Sequence, residues 1–407
     1  MTSASRFLLA SRQTEIAELE QLARMGELVA VAGRFIHALQ RERGASSVFL
    51  GSAGSRFASQ RRAQVAETEG AERAMRSRFE ALDTDPRALS AGSRLFNGVA
   101  LVLHAMDGLP RLRDRIAARA IAAPEATAAF GRLIAGLLSV VFDAADTATD
   151  PQVSRALVAL FHFMQGKEFA GQERAFGARV FAAGYVDATG QQQWRHLVES
   201  QEACLQVFRD FSDAQGVHAE RASRDPRWAA DIERLRHLGG SLRGELDPNL
   251  SQPWWNACTW RIDAMKEVED TLAVRLRVLC EARIAQAREE LRNERATLDA
   301  LLQRMEPLAT GASPALGPQL ERSLLDMAQT QARRLQEMAD ELQAVRASLQ
   351  ERKLIERAKG VLMAHRHMSE DEAYKALRQM AMNQNRRLSD VAGALLTLAG
   401  VLPGGAR

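Results

Sequence analysis

Three stretches of the sequence place arginine and glutamate side by side among apolar residues of helical spacing. QRERG (40–44) closes a long periodic segment, GKEFAGQERAFGARV spans 166–180, and PWWNACTWRIDAMKEVED spans 253–270. A guanidinium that lies among apolar side chains must be paired with an acid or bind an anion, since an unpaired buried charge is costly. The residues alone leave both explanations open: an internal Arg–Glu pair or an anion site.

Composition indicates a soluble, nearly all-helical protein. The 407 residues are enough for two or three domains, and only 5 % of them are aromatic. Abundant Ala, Leu, Arg, Glu and Gln favour helix over strand. The three widely spaced cysteines, Cys204, Cys258 and Cys280, suggest a reducing compartment and no disulfide framework or zinc site. No uninterrupted run of about 18 apolar residues and no signal-peptide block occurs, so we expect a cytoplasmic protein without a membrane span.

Apolar residues at three- and four-residue steps predict a series of long helices, packed as antiparallel bundles, as far as residue 305. EPLATGASPALGPQ (306–319) is rich in Pro, Gly, Ser and Ala, and is the candidate linker. A heptad-like series follows, with the alternating steps of a coiled-coil seam. Its members are Leu324, Ala328, Gln331, Leu335, Met338, Leu342, Val345 and Leu349. Self-association and packing on the same chain explain this seam equally well.

The last fifty residues predict a compact three-helix unit. One helix face is formed by Leu354, Ile355, Ala358, Val361 and Leu362. Ser369 is a natural N-cap for a second helix, with Glu372 completing a capping box, and a third helix begins at Leu388 or Ser389. The basic residues are left outside. Residues 351–400 hold nine Lys and Arg against six Asp and Glu, an excess equal to the +3 of the whole chain. On pattern alone, a solvated charged face explains them as well as a binding face does.

RKLIERAKGVLM, followed by MSEDEAYKALRQMAMNQNRRLSDVA, resembles the ANTAR family of RNA-binding antitermination modules. ANTAR modules bind a pair of short RNA hairpins that overlap a terminator, and polymerase then reads through. Loop nucleotides offer phosphates and exposed base faces, which suit Lys and Arg. The resemblance implies RNA contacts for Lys353, Lys359, Arg378, Arg386 and Arg387, with Gly360 allowing close approach.

The three Arg–Glu stretches together resemble the NIT domain, over roughly residues 30–275. NIT domains sense nitrate and nitrite, and consist of two packed helical bundles with the oxyanion held between them. Nitrate is planar and singly charged, so planar, multi-donor arginine suits it better than lysine. The resemblance implies Arg43 and Arg261 as the clamping pair. Arg174 is the next candidate, unless Glu168 or Glu173 neutralises it.

The resulting fold class is all-α: two packed helical bundles, a long connecting helix with a coiled coil, and a small three-helix C-terminal domain. We expect a sensor domain in residues 1–280, a long helix, linker and heptad-like helix in 281–350, and an RNA-binding domain in 351–400. This order of domains resembles the nitrate- and nitrite-responsive transcription antiterminators. It implies a homodimeric regulator of nitrate assimilation genes, with nitrate or nitrite as ligand, no cofactor, and a leader RNA with two hairpins as partner.

Two other classes of function are a sensor that signals to a protein partner and an enzyme. A sensor could signal through its heptad helix to a protein partner, with the C-terminal unit as a docking domain. An enzyme is not expected, because the sequence contains no Gly-rich phosphate loop, HExxH, GxSxG or Cys-x-x-Cys motif.

Overall fold

The structure, a computed structural model, describes residues 3–82, 93–241, 245–305, 317–366, 370–384 and 386–401. Nearly all of these residues are α-helical and none is in a strand, which confirms the all-α class. The helices are α1 (Ser3–Gly51), α2 (Ala58–Glu80), α3 (Ser93–Asp107), α4 (Leu109–Ala117), α5 (Ala123–Asp146), α6 (Pro151–Ala183), α7 (Ala188–Phe211), α8 (Ala214–Ala222), α9 (Pro226–Ser241), α10 (Ser251–Met305), α11 (Gly317–Arg366), α12 (Glu370–Gln384) and α13 (Leu388–Val401), with a short 3-10 helix at Pro248–Leu250.

The chain divides into two compact units, each assembled from separate parts of the sequence. The first unit contains Met1–Glu168, Gln206–Arg224 and Ile262–Ala339, and the second contains Phe169–Leu205, Asp225–Arg261 and Asp340–Arg407. Four long helices, α6, α7, α10 and α11, contribute one end to each unit. Each unit is described below by itself.

The core of the first unit is built on α1, which packs against α2 and α5. The periodicity predicted one helix over residues 13–50, and the structure confirms it and extends it at its N-terminal end to Ser3. Its inner stripe is fully buried at Phe35, Ile36 and Leu39. Burying one such side chain stabilises the folded state by about 1.5–3 kcal/mol relative to leaving it exposed. Tertiary packing therefore stabilises this long helix.

Helix α5 is the most apolar long helix of the described chain. By length and composition it could cross a membrane, a property that it shares with core helices of soluble proteins. In the first unit it packs against α1 and α3, and Phe130, Ile134 and Leu137 are fully buried there. Core packing therefore accounts for its apolar character.

The second unit has an aromatic core. The rings of Trp194 and Trp254 lie 5.2 Å apart between centroids in an edge-on arrangement, and Phe181 packs against both. Two glycines make this packing possible, because a Cβ at Gly177 would overlap the Trp254 ring and a Cβ at Gly239 would overlap the Trp194 ring. The bulky indoles thus require helix surfaces without side chains.

The heptad-like segment forms α11, and its first part packs within the first unit through polar contacts. Gln331 donates from Nε2 to Glu294 Oε1 and Oε2 at 3.2 and 3.1 Å, and Arg334 donates from Nη2 to Glu15 Oε1 at 3.1 Å. Leu335 is 47 % exposed. Gln331 and Arg334 therefore contact the same chain, while self-association through the seam stays a prediction. Most of the predicted linker, residues 306–316, lies outside the described residues, and 317–319 are helical.

The predicted three-helix C-terminal domain is confirmed. The end of α11 packs with α12 and α13 around a small core. Its buried members are Ala358, Leu362, Ala373, Leu377, Ala381, Val391 and Ala392. The third helix begins at Leu388. The predicted cap Ser369 and the side chain of Glu372 lie outside the part of the chain that the structure describes.

Two neighbouring glycines on α9 provide a matched test of the aromatic core. We expect Gly239→Ala to lower the free energy of unfolding by about 1–3 kcal/mol, because the added methyl must displace Trp194. Gly240→Ala adds the same methyl where nothing lies within 4 Å, and should be neutral or stabilising by up to about 1 kcal/mol. Urea unfolding followed by circular dichroism measures both. Equal effects at the two positions would show that Trp194 does not pack against this face of α9.

Candidate functional site

Arg43, from the QRERG stretch of α1, lies in a buried ion pair with Glu168 of α6. Its Nη1 and Nη2 donate to Glu168 Oε1 and Oε2 at 2.6 and 3.1 Å. The two side chains are only 4 % and 6 % exposed, and Gln40 Nε2 donates to the same carboxylate at 2.8 Å. Arg43 is thus present in this structure as one half of an internal Arg–Glu pair.

The residues next to Arg43 and Glu168 are paired in the same way. Glu42 accepts from Arg113 Nε at 2.9 Å, and Lys167 Nζ lies 2.6 Å from Glu269 Oε2. Burial lowers the pKa of Lys167, and the charge of Glu269 opposes that effect. Opposite charges therefore tie α1 to α4 and α6 to α10 in the core of the first unit.

Arg174 lies in the second unit, on the next turn of α6 that carries charge. Its Nη1 donates to Thr259 Oγ1 at 3.0 Å, and its guanidinium lies 4.4 Å from the centroid of the Trp255 ring. The attraction between a guanidinium and an aromatic face fixes the orientation of the plane. Thr259 and Trp255 both belong to the WNACTWR segment of α10, so that motif places Arg174.

Glu173, beside Arg174, is the central acceptor of the second unit. Its Oε1 accepts from Trp194 Nε1 at 3.1 Å and from Arg236 Nε at 2.7 Å. Its Oε2 accepts from Gln201 Nε2 at 2.8 Å and from Arg236 Nη2 at 2.7 Å. Arg261 approaches the same carboxylate less closely, with Nη1 at 3.7 Å from Oε2, and its Nη2 donates to Gln201 Oε1.

The pKa values of Glu173 and Arg261 are both lowered, for different reasons. Burial raises the pKa of Glu173, but the hydrogen bonds and charge of Arg236, with the charge of Arg261, outweigh burial and hold it below its usual range. Burial lowers the pKa of Arg261; Glu173 acts to raise it, and the neighbouring charge of Arg236 lowers it again, leaving it below its usual value. Arg236 also meets Glu233 at 2.6 Å, on the exposed side of the cluster.

The group has more buried positive than negative charge. One buried carboxylate, Glu173, faces Arg236 and Arg261, and Arg174 adds a third guanidinium close enough to influence the pKa of Cys258, as the other two do. Small oxyanions bind where several guanidinium donors converge. We refer to Glu173, Gln201, Arg236 and Arg261 as the arginine cluster.

The structure distributes the three predicted anion ligands between the two units. Arg174 and Arg261 share the second unit, and Arg43 belongs to the first. Glu168 pairs with Arg43, and Glu173 with Arg236. The sequence interpretation missed Arg236 and Gln201. Both lie in ordinary amphipathic helices, and nothing in the spacing of their neighbours distinguishes them.

The predicted RNA-contacting residues lie in the three-helix C-terminal domain. Arg378 is exposed on α12, and Arg386 and Arg387 are exposed just before α13. There the backbone N–H of Arg386 donates to Ala381 O at 3.0 Å, which fixes the turn between the two helices. Lys353, Lys359 and Gly360 lie within α11, but the two lysine side chains and the surroundings of Gly360 fall outside the described part of the structure.

Comparison with known proteins identifies the family. Residues 34–277 match the family model for nitrate and nitrite sensing, NIT. The chain belongs to the NIT family. Residues 343–396 match the ANTAR domain. The exposed arginines of α12 and of the α12–α13 turn lie within this range. The predicted order of a NIT sensor followed by an ANTAR domain is confirmed.

Two relatives resemble this NIT protein over nearly its whole length. The nitrate regulatory protein of Klebsiella oxytoca is 35 % identical over 394 residues, which cover 95 % of this chain and 93 % of that protein. The solved structure of the NasR transcription antiterminator matches with a TM-score of 0.60 and 33 % identity, over 96 % of this chain and 98 % of that one.

Removing the acid from the buried Arg43 pair should be costly. We expect Glu168→Gln to lower the free energy of unfolding by about 3–5 kcal/mol, because it leaves a buried guanidinium without a counter-charge. Glu67→Gln is the matched control, since Glu67 pairs with Arg41 of the same helix where both side chains are about half exposed and such pairs contribute about 0–1 kcal/mol. Urea unfolding followed by circular dichroism compares the two. A small effect of Glu168→Gln would mean that water or another acid compensates Arg43.

Proposed function

We propose that this NIT protein is a nitrate- or nitrite-responsive transcription antiterminator. The observation that carries the proposal is the presence, in one chain of the NIT family, of a buried surplus of arginine charge and a C-terminal ANTAR domain with exposed arginines. The names of the two relatives, a nitrate regulatory protein and a transcription antiterminator, support it.

Anion sensing is assigned to Arg43, Arg261 and Arg174. Arg261 is the strongest of the three, because its contact with Glu173 is long and its charge is only partly compensated. Arg43 is assigned by the family resemblance, and it would take part by exchanging some of its contact with Glu168 for the anion. Nitrate or nitrite is the ligand, and no cofactor is assigned.

RNA binding is assigned to the ANTAR domain. Arg378, Arg386 and Arg387 offer charge and planar surfaces to phosphates and unstacked bases. Lys353, Lys359 and Gly360 join them by family resemblance. The RNA partner is a leader transcript with two hairpins, the protein acts in the cytoplasm as a homodimer, and its role in nitrate assimilation is regulatory and not enzymatic.

Coupling between the two functions needs an anion that binds one state of the protein more tightly than the other, since equal affinity shifts nothing. Helix α11 is the element that can transmit the difference. It carries Gln331 and Arg334, which contact Glu294 and Glu15 in the first unit, and it ends in the ANTAR core at Ala358 and Leu362.

The test is binding of a two-hairpin leader RNA to the full chain with nitrate, with nitrite or with chloride. We expect nitrate or nitrite to tighten RNA binding, and Arg261→Lys to abolish the response while leaving the anion-independent binding unchanged. RNA binding that ignores both anions would contradict the sensing half of the proposal. Absence of RNA binding under all conditions would contradict the output half.

Variants of the ANTAR domain separate an RNA module from a protein-docking module. We expect Arg387→Gln and Arg378→Gln each to weaken RNA binding about 5- to 100-fold and to reduce its salt dependence, as loss of a phosphate or base contact does. Arg333→Gln is the control, an exposed arginine on α11 before the matched segment. Wild-type RNA affinity in both ANTAR variants would favour docking to a protein.

A further inference from the structure

The Glu173 carboxylate is saturated by donors that do not include Arg261. An ionised carboxylate offers about four lone-pair sites, and Trp194, Gln201 and the two nitrogens of Arg236 occupy two on each oxygen. The 3.7 Å separation of Arg261 Nη1 from Glu173 Oε2 lies beyond hydrogen-bond range. Arg261 therefore feels part of the field of Glu173, but its Nη1 donates no hydrogen bond to that carboxylate.

Gln201 supplies Arg261 with an acceptor that has no charge. The Nε2 of Gln201 donates to Glu173 Oε2 at 2.8 Å and to Leu197 O at 3.0 Å, and its Oε1 accepts from both Arg236 Nη2 and Arg261 Nη2. A neutral amide oriented in this way holds the guanidinium of Arg261 in place. The charge of Arg261 is then balanced only in part, by the fields of Glu173 and Glu233.

Exposure separates the two partners of this contact. The side chain of Glu173 is 1 % exposed and that of Arg261 is 23 % exposed. Arg261 is therefore partly accessible to a solute, whereas Glu173 is almost fully enclosed. A small anion is thus the group that can complete the charge balance.

We propose that Arg236 is a positioning residue for the anion site: by occupying both oxygens of Glu173, it prevents that carboxylate from pairing with Arg261 and so keeps Arg261 available to an oxyanion. The inference rests on the proposed nitrate-sensing function and adds a residue to that site. Arg236 does not touch the anion. It removes the competitor.

Loss of Arg236 would reverse the competition. Glu173 would regain an open lone pair on each oxygen, and the nearest remaining cation is Arg261. A shift of Arg261 by less than about 1 Å would convert the 3.7 Å contact into a charge-assisted hydrogen bond. An anion would then have to displace a buried carboxylate before it could bind.

The experiment is a nitrate titration of the full chain by isothermal calorimetry, with chloride as the competing-salt control. We expect Arg236→Gln to weaken nitrate binding on the order of tenfold, the equivalent of one partly screened charge contact. Glu173→Gln with Arg236→Gln should restore the affinity to about the wild-type value, because the competing carboxylate is gone. Arg236 acting only as a structural support predicts no restoration, since the double variant lacks the same support.

A matched control and a second variant guard against misfolding. The matched control is Arg283→Gln, which breaks the ion pair of Arg283 with Asp150 in the first unit. The side-chain exposures of that pair, 17 % and 1 %, are nearly the same as the 16 % and 1 % of Arg236 and Glu173. This control variant should leave nitrate affinity unchanged. If Arg236→Gln does not fold, Arg236→Lys decides, because lysine keeps the positive charge but lacks the planar fork that reaches both oxygens of Glu173. Nitrate binding weaker than wild type supports the proposal, and unchanged or tighter binding overturns it.

Two kinds of failure are distinguishable. A wild-type chain that does not bind nitrate overturns the proposed sensing function and this inference with it. Wild-type binding together with unchanged affinity in Arg236→Gln, or without restoration in the double variant, overturns only the role of Arg236.

Discussion

A charge buried among apolar side chains must have a partner, and the packing of the first unit depends on this constraint. α1 carries Glu42 and Arg43 in sequence, and α6 carries Lys167 and Glu168 in sequence. Glu42 pairs with Arg113 of α4, and Arg43 pairs with Glu168 of α6. Lys167 pairs with Glu269 of α10. A shift in the register of one of these helices would separate a pair and leave buried charges without a partner, which is strongly destabilising.

The second unit obeys the same constraint with an unequal number of charges. Around Glu173 the acid is shared so that Arg236 is fully paired and Arg261 is only partly paired. The Trp194 and Trp254 packing that surrounds the group keeps the carboxylate dry. In the proposed function, a ligand that carries one negative charge and several acceptors completes this group, which is the chemistry that nitrate and nitrite share.

Most of the fold could be predicted from the helical periodicity of apolar residues, because long amphipathic helices repeat this pattern many times. The stretches around Arg43, Arg174 and Arg261 were also visible, since charged residues in apolar segments are rare enough to notice. Their partners were not visible. Arg43 and Glu168 are 125 positions apart, and Arg236 is a surface-like residue in a common helix pattern. Which acid meets which arginine is decided by tertiary packing, and the linear spacing contains no record of it.

The aromatic core has an optical consequence. All five tryptophans of the chain, Trp194, Trp228, Trp254, Trp255 and Trp260, belong to the second unit, and the first unit has none. Intrinsic tryptophan fluorescence is therefore emitted from the second unit only, where Trp194 Nε1 donates to Glu173 and the Trp255 ring lies against the guanidinium of Arg174. These tryptophans are intrinsic fluorescent probes beside the arginine cluster. Their emission spectrum reports on that part of the second unit and not on the packing of the first unit.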